Sequence, residues 1–198
     1  GDIEEILNSA EKAKEIIGQI SAFSGKNAKK SFQELLISQT AAKAMLVAES
    51  GKPEQVKLSM QLVFEPYWMW GNETQIHQIV LNLCTNAFHA MGKSGGCLTV
   101  SGVVRQGKDI AENRFFSDKP ELEFYELTFS DTGCGMSEEV KSQIFDPFYT
   151  TRKAGEGTGL GLYLVHRMVE EHKGTITVES EPGRGTVFRI YFPVFRKD

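Results

Sequence analysis

The sequence predicts an α+β fold: a two-layer sandwich of about three helices on a mixed, mostly antiparallel sheet of about five strands, preceded by a long N-terminal helix. Three observations carry that prediction. Apolar residues recur at three- and four-residue steps along the longer segments, as on one face of a helix. Shorter segments alternate apolar and polar residues, as half-buried strands do. Glycine, proline, serine and asparagine punctuate the boundaries between them.

The N-terminal helix is read over residues 1–25. Ile3, Ile6, Leu7, Ala10, Ala13, Ile16, Ile17, Ile20 and Phe23 form one stripe, and Ser24-Gly25 supplies a stop. A lone helix cannot bury that stripe, so it calls for a partner helix or for packing on the main domain. Gly25 to Lys30 is polar and reads as a boundary, which leaves residues 31–198 as the main domain. There, Ser31 to Ala48 has helical periodicity, with Ser31 and Glu34 spaced as a capping box. Val56 to Phe64 alternates as a strand, and Tyr67 to Trp70 is a short second one. Asn72 caps a long helix to about Met91. Cys97 to Val104 is a strand, Arg105 to Glu121 a polar hairpin loop or insertion, and Glu123 to Ser130 a further strand. Ser137 to Ile144 is a short helix, Phe145 to Gly157 a loop, and Leu160 to His172 a helix. Thr175 to Ser180 and Thr186 to Phe192 are strands joined by a Pro182-Gly183-Arg184-Gly185 turn.

Composition narrows the function classes. The chain has 198 residues and a net charge of −4, with its basic residues scattered rather than striped, which gives no reason to expect nucleic acid. Its three cysteines, Cys84, Cys97 and Cys134, form no CxxC pair, and a reduced cytosolic compartment is the natural expectation. No apolar run reaches the roughly 18 residues a membrane span needs, and no signal peptide is read at the start.

Four motifs converge on a nucleotide. Asn82 and Asn86 are four apart on an apolar helix and share a face. An amide oxygen suits Mg²⁺, which keeps its waters and bridges phosphates, so Asn86 is the expected metal ligand. Asp131-Thr-Gly-Cys-Gly135 follows a strand, so a carboxylate can accept from an exocyclic amine while Gly133 and Gly135 let the backbone approach a base. Gly157-Thr-Gly-Leu-Gly161 runs into a helix, where amides and the helix dipole favour phosphate. It lacks the Gly-Lys-Ser/Thr of a P-loop and does not follow a dinucleotide-type βα unit. Thr186, after Gly183 and Gly185, is placed to reach the base through its hydroxyl. Arg152 and Lys153 precede the glycine loop and can close over phosphates, and His89, three residues after Asn86, can approach them too. Taken singly, each motif also has an ordinary structural reading: paired helix amides, an Asp turn, solvated loop charges. His77, His166 and His172 read as helix-surface or capping residues, since no histidine has zinc-like spacing.

Together the motifs resemble the ATP-binding catalytic domain of sensor histidine kinases, within the wider group of type II topoisomerase, heat-shock chaperone and mismatch-repair ATPases. Gln75 to Met91 resembles the Asn box, Asp131 to Gly135 the first Gly box, and Phe145 to Arg152 the Phe box, which includes Phe148. Gly157 to Gly161, with Thr158, Gly159 and Leu160 between, resembles the second Gly box, and Gly183 to Thr186 the closing element. The match runs from about Ser31 to the C-terminus. The resemblance implies that Asp131 bonds the adenine amine, that Asn86 holds Mg²⁺, and that Phe145 to Gly157 is a lid over ATP. It makes residues 1–25 similar to the second helix of a dimerisation and phosphotransfer hairpin, hence a homodimer in the full protein. It also implies γ-phosphate transfer to a histidine, relay to a response regulator, and a cytoplasmic domain of a protein that can be membrane-anchored elsewhere. One feature departs from the pattern: no histidine here is followed by Glu or Asp and then Asn or Thr, so the acceptor is not among them.

Asn82 bears on the reaction. Water-activating relatives carry Glu one turn before the metal-binding Asn, whereas an amide is no general base. This favours a kinase that spares ATP from water. The alternatives are a stand-alone ATPase or clamp, which Asn82 and the N-terminal helix argue against, and a nucleotide-binding regulatory module.

Overall fold

The computed structural model describes residues 32–110, 114–152 and 157–197. Strand β1 (Gln33–Leu36) leads directly into helix α1 (Ile37–Gly51). Strands β2 (Val56–Leu62) and β3 (Tyr67–Gly71), helix α2 (Glu73–Met91) and strand β4 (Gly96–Gln106) come next. A short helix α3 (Arg114–Ser117) precedes β5 (Glu123–Asp131), and α4 (Glu138–Lys141) follows it. Helix α5 (Gly161–Glu171) and the hairpin of β6 (Thr175–Ser180) and β7 (Thr186–Arg196) complete the fold.

The seven strands form one sheet in the order β1-β3-β7-β5-β4-β2, and β6 pairs with β7. Every described pairing is antiparallel except β2 with β4. The predicted α+β sandwich is therefore the observed architecture, with more strands than the expected five or so. Helices α1, α2 and α5 cover one face. Ile76, Ile79, Val80, Leu83, Ala87 and Met91 of α2 are buried in the core together with Leu98, Leu127, Phe129, Ile190 and Phe192 of the sheet. Burying such side chains contributes roughly 1.5–3 kcal/mol each and drives the layering. On the other face, Phe116 of α3 packs edge-on against Phe124 and Tyr191. Arg105 and Gln106, expected in a loop, instead extend β4, and the described part of the segment after them is fastened to the sheet by these aromatic contacts.

One expected element changes. The periodicity of Ser31 to Ala48 predicts a single helix, but Gln33–Leu36 is a strand and the helix starts at Ile37. The cause is tertiary: Gln33 to Leu36 pairs with Gly71 to Trp68, which buries Leu35 and ties the segment to the sheet edge. Glu34 therefore serves no capping box and bonds Lys197 instead. Ser31, residues 1–25 and the boundary at 25–30 lie outside the described residues. The cap at Asn72 forms as expected, its Oδ1 accepting from the amides of Thr74 and Gln75 at 3.0 and 3.2 Å.

The start of α2 is also bonded to the end of α5. His172 is buried, its Nδ1 lies 2.6 Å from the Met168 carbonyl, and its Nε2 accepts from the Asn72 amide at 3.0 Å. A carbonyl can only accept, so the ring is the neutral tautomer with its proton on Nδ1. Gln75 Nε2 adds a bond to the Glu171 carboxylate at 2.8 Å. Burial lowers the His172 pKa below its ordinary value of 6.5, against the pull of the Met168 carbonyl and the Glu171 charge. With a depressed folded value, the unfolded chain takes the proton first. Stability is then full above about pH 6.5, falls as pH drops through the folded value, and levels off below it. Denaturant melts at stepped pH should show a loss of roughly 1 kcal/mol in that window, from the broken Asn72 bond. The slope should vanish in His172→Gln, whose amide can both accept and donate. An equal slope in the variant would assign the effect to another group.

Candidate functional site

Register places the first set of site residues. Leu98, Asp131, Thr186 and Ser180 are directly opposite one another across β4, β5, β7 and β6. They form one cross-strand row, on the face that also carries Leu127, Phe129, Phe188 and Ile190 toward the helices. Asp131 is 7% exposed, and its Oδ1 accepts from the Gly133 amide at 2.8 Å. Burial raises its pKa above the ordinary 3.8, while the backbone N–H groups of Gly133 and Thr186 pull it down. The group is a directed acceptor held in a dry place.

The glycines around it are close-approach residues. A Cβ on Gly133 would lie 2.7 Å from Ala90 of α2, and the Cys134 amide donates to the Ala90 carbonyl at 3.0 Å. The loop after β5 is thereby pressed on the last turn of the Asn helix. On its other side, the Cys134 carbonyl accepts from the Gly183 amide at 2.7 Å, which joins it to the β6–β7 turn.

Helix α2 presents Asn82 and Asn86, both half-buried, toward the glycine-rich segment. Asn82 Nδ2 donates to the Gly161 carbonyl at 3.3 Å, and an Arg152 guanidinium N–H donates to Asn86 Oδ1 at 2.8 Å. Arg152 also lies against Gly157, where an added Cβ would meet its Cδ at 3.0 Å. The Phe148 amide bonds the Gly159 carbonyl at 3.0 Å, with both residues at positive φ (67° and 66°), and the Phe148 ring is 72% exposed. The Thr158 hydroxyl accepts from the Leu160 amide at 3.3 Å, one residue before α5 begins. Leu160 itself is buried in the core.

The structure thus brings Asn82, Asn86, Arg152, Asp131, Gly133, Gly135, Phe148, Gly157, Thr158, Gly159, Leu160, Gly161 and Thr186 into one linked neighbourhood between α2, the β5 end and the α5 start. His89 is on α2 beside Ala90 and is exposed. Lys153 lies outside the described residues. Of the other histidines, His166 lies against Phe145 with ring centroids 5.0 Å apart and the planes tilted by 40°, and His172 is the buried link between α2 and α5. Sequence reasoning did not single out Ser180 or that link, since both depend on partners brought together by the sheet and the helix layer.

A Mg²⁺–nucleotide would take the Asn86 oxygen in place of the Arg152 guanidinium that now donates to it. Asn86 offers a single neutral oxygen, and no cluster of three His, Cys, Asp or Glu suited to a metal occurs among the described residues. A cation at Asn86 would bring phosphate oxygens and water as its other ligands, which suits Mg²⁺. Among the described residues no helix is long and apolar enough to cross a membrane.

Residues 71–196 match the family described as histidine kinase-, DNA gyrase B-, and HSP90-like ATPase. Sensor kinase CckA of Brucella abortus (strain 2308) is 33% identical over 193 residues, 97% of this chain and 20% of that protein. Sensor histidine kinase ZraS of Klebsiella oxytoca is 37% identical over 120 residues, 61% of this chain and 22% of that protein. The chain spans about a fifth of the length of these curated relatives. Among solved structures, the Acinetobacter baumannii histidine kinase AdeS aligns with a TM-score of 0.67 at 21% identity, covering 96% of this chain and 83% of that one. Full-length ShkA in complex with AMPPNP aligns with a TM-score of 0.65 at 21% identity, covering 83% of this chain and 31% of that one. At such identities the structural likeness is one of fold.

Proposed function

Because the chain belongs to the histidine kinase-, DNA gyrase B- and HSP90-like ATPase family, we propose that it is the catalytic domain of a sensor histidine kinase. It binds Mg²⁺–ATP and gives the γ-phosphate to a histidine that it does not itself supply, for relay to a response regulator. The sensor kinases among its relatives support this reading. Asp131 and Thr186 take the base, and Asn86 holds the metal. Gly133 and Gly135 let the backbone close on the base. Gly157, Thr158, Gly159, Leu160 and Gly161 offer amides and a helix start to the phosphates. Arg152, Lys153 and His89 supply charge or hydrogen bonds beside them, and Phe148 lies at the base of the lid. Mg²⁺, when bound, neutralises phosphate charge. Residues 1–25 act as the second helix of a dimerisation hairpin in a cytoplasmic part of the full protein.

The observation that carries the kinase reading is Asn82. Its side chain stands one turn before Asn86 and donates to the Gly161 carbonyl at 3.3 Å. It clamps the Asn helix to the phosphate loop and has no basic lone pair with which to deprotonate water. In phosphoryl transfer the protein mostly positions groups and offsets charge, and a neutral imidazole needs no such base. The bond from the γ-phosphorus to the bridging oxygen breaks as the phosphorus–nitrogen bond forms, and ADP leaves with the electron pair.

The test uses the purified chain, γ-labelled ATP and a separately made acceptor hairpin from a sensor kinase relative. Slow phosphate release by the chain alone, with acid-labile label on the hairpin, is expected. Fast release with no label transferred would point to an ATPase, and binding without either would leave a regulatory module.

A further inference from the structure

We propose that Ser180 is a positioning residue that fixes the Thr186 hydroxyl as an acceptor, so that the site selects a base carrying an amino group over one carrying an oxo group. The inference rests on the adenine-nucleotide reading above and adds a residue to it. Proton counting carries it. Ser180 is 8% exposed and its Oγ has three partners. The Met136 amide lies at 2.9 Å, the Gly185 carbonyl at 2.9 Å and Thr186 Oγ1 at 3.0 Å.

An amide N–H can only donate, so Ser180 accepts from Met136. A carbonyl can only accept, so the one Ser180 proton goes to Gly185. The contact with Thr186 is then filled by the Thr186 proton entering the second Ser180 lone pair. Thr186 has spent its proton away from the ligand and presents only lone pairs to it. Asp131, directly opposite in the β5–β7 register, presents a carboxyl that already takes the Gly133 amide. Opposed residues in a sheet have Cβ atoms about 4.5–5.5 Å apart. One exocyclic amine, with two N–H groups, can serve both acceptors. An oxo group in its place would face two acceptors and no donor, and buried polar groups left unpaired are what separate close analogues.

Ser180 touches no ligand, and its effect passes through Thr186. With Ser180→Ala the Thr186 proton is released and can turn toward an oxo group. The test measures equilibrium binding of Mg²⁺–ATP and Mg²⁺–ITP to the whole chain, after a circular-dichroism check of folding. Wild type should prefer ATP, and Ser180→Ala should narrow the ATP-to-ITP ratio about tenfold. Ser180→Thr keeps a hydroxyl and should keep the ratio. Thr186→Val should narrow it as well, and Ser180→Ala should add nothing in that background. If Ser180→Ala does not fold, Ser180→Cys, whose sulfur is a weak acceptor for the Thr186 proton, is read in the same way. Equal weakening of both nucleotides would make Ser180 a structural residue and overturn the inference, as would independent effects of the two substitutions. A wild type that binds neither nucleotide would instead overturn the adenine-nucleotide reading itself.

Discussion

Asp131→Asn is expected to weaken Mg²⁺–ATP binding at least about 100-fold while making the nucleotide-free protein more stable at neutral pH. The two effects come from one cause. Asp131 is buried, and burial raises its pKa above 3.8 despite the Gly133 and Thr186 amides. A group whose folded value is raised holds its full stability below the unfolded value and loses it as pH rises through the folded value. Above the folded value the ionised carboxylate is therefore a cost, which the neutral amide removes. For binding, the proposed function makes the carboxylate the acceptor for the base amine. An Asn keeping its oxygen on the Gly133 amide would turn an NH₂ toward that amine, setting donor against donor. Calorimetric binding and denaturant melts from pH 4 to 7 check both sides. Weaker binding with lower stability across that range would mark Asp131 as a structural residue instead. A side chain kept at the expense of stability is the signature of function.

What the sequence made legible was local. Asn72 stands before a periodic run, and it caps that run in the structure. The alternation of Cys97 to Val104 and Glu123 to Ser130 foretold strands that prove longer by one or a few residues. The glycine motifs and the Asn pair were visible because spacing along a chain is what a motif is. Partnership across the chain was not. Gln33 to Leu36 looks helical on its own and becomes a strand because β3 is there to pair with it. His172 reads as a helix end, yet its bond is to a residue 100 positions away. Ser180 is an ordinary strand serine until β7 brings Thr186 and Gly185 against it. Asn82 could be read as the absence of a base, but its contact with Gly161 needed the packing of α2 against the start of α5.

Gly185→Ala is expected to cost at least about 3 kcal/mol, or on the order of 10 °C in Tm, and to abolish nucleotide binding. Gly183→Ala, two residues away, should cost only about 1 kcal/mol and leave binding intact. Both glycines have positive φ, 84° and 78°, so both variants carry the left-handed strain of an L-residue. Only Gly185 adds a collision. Its Cβ would fall 2.0 Å from the Asp131 carbonyl oxygen and 3.0 Å from the Thr132 Cα, whereas nothing lies within 4 Å of a Cβ on Gly183. Backbone cannot swing aside as a side-chain tip can, so the β6–β7 turn must move away from the end of β5. That movement pulls Thr186 from Asp131 and the Gly185 carbonyl from Ser180, and these are the contacts that hold the cross-strand row of the proposed base site together. Thermal melts paired with binding isotherms separate strain from collision. Equal effects of the two substitutions would show that the turn is merely strained, and that its approach to Asp131 plays no part in building the site.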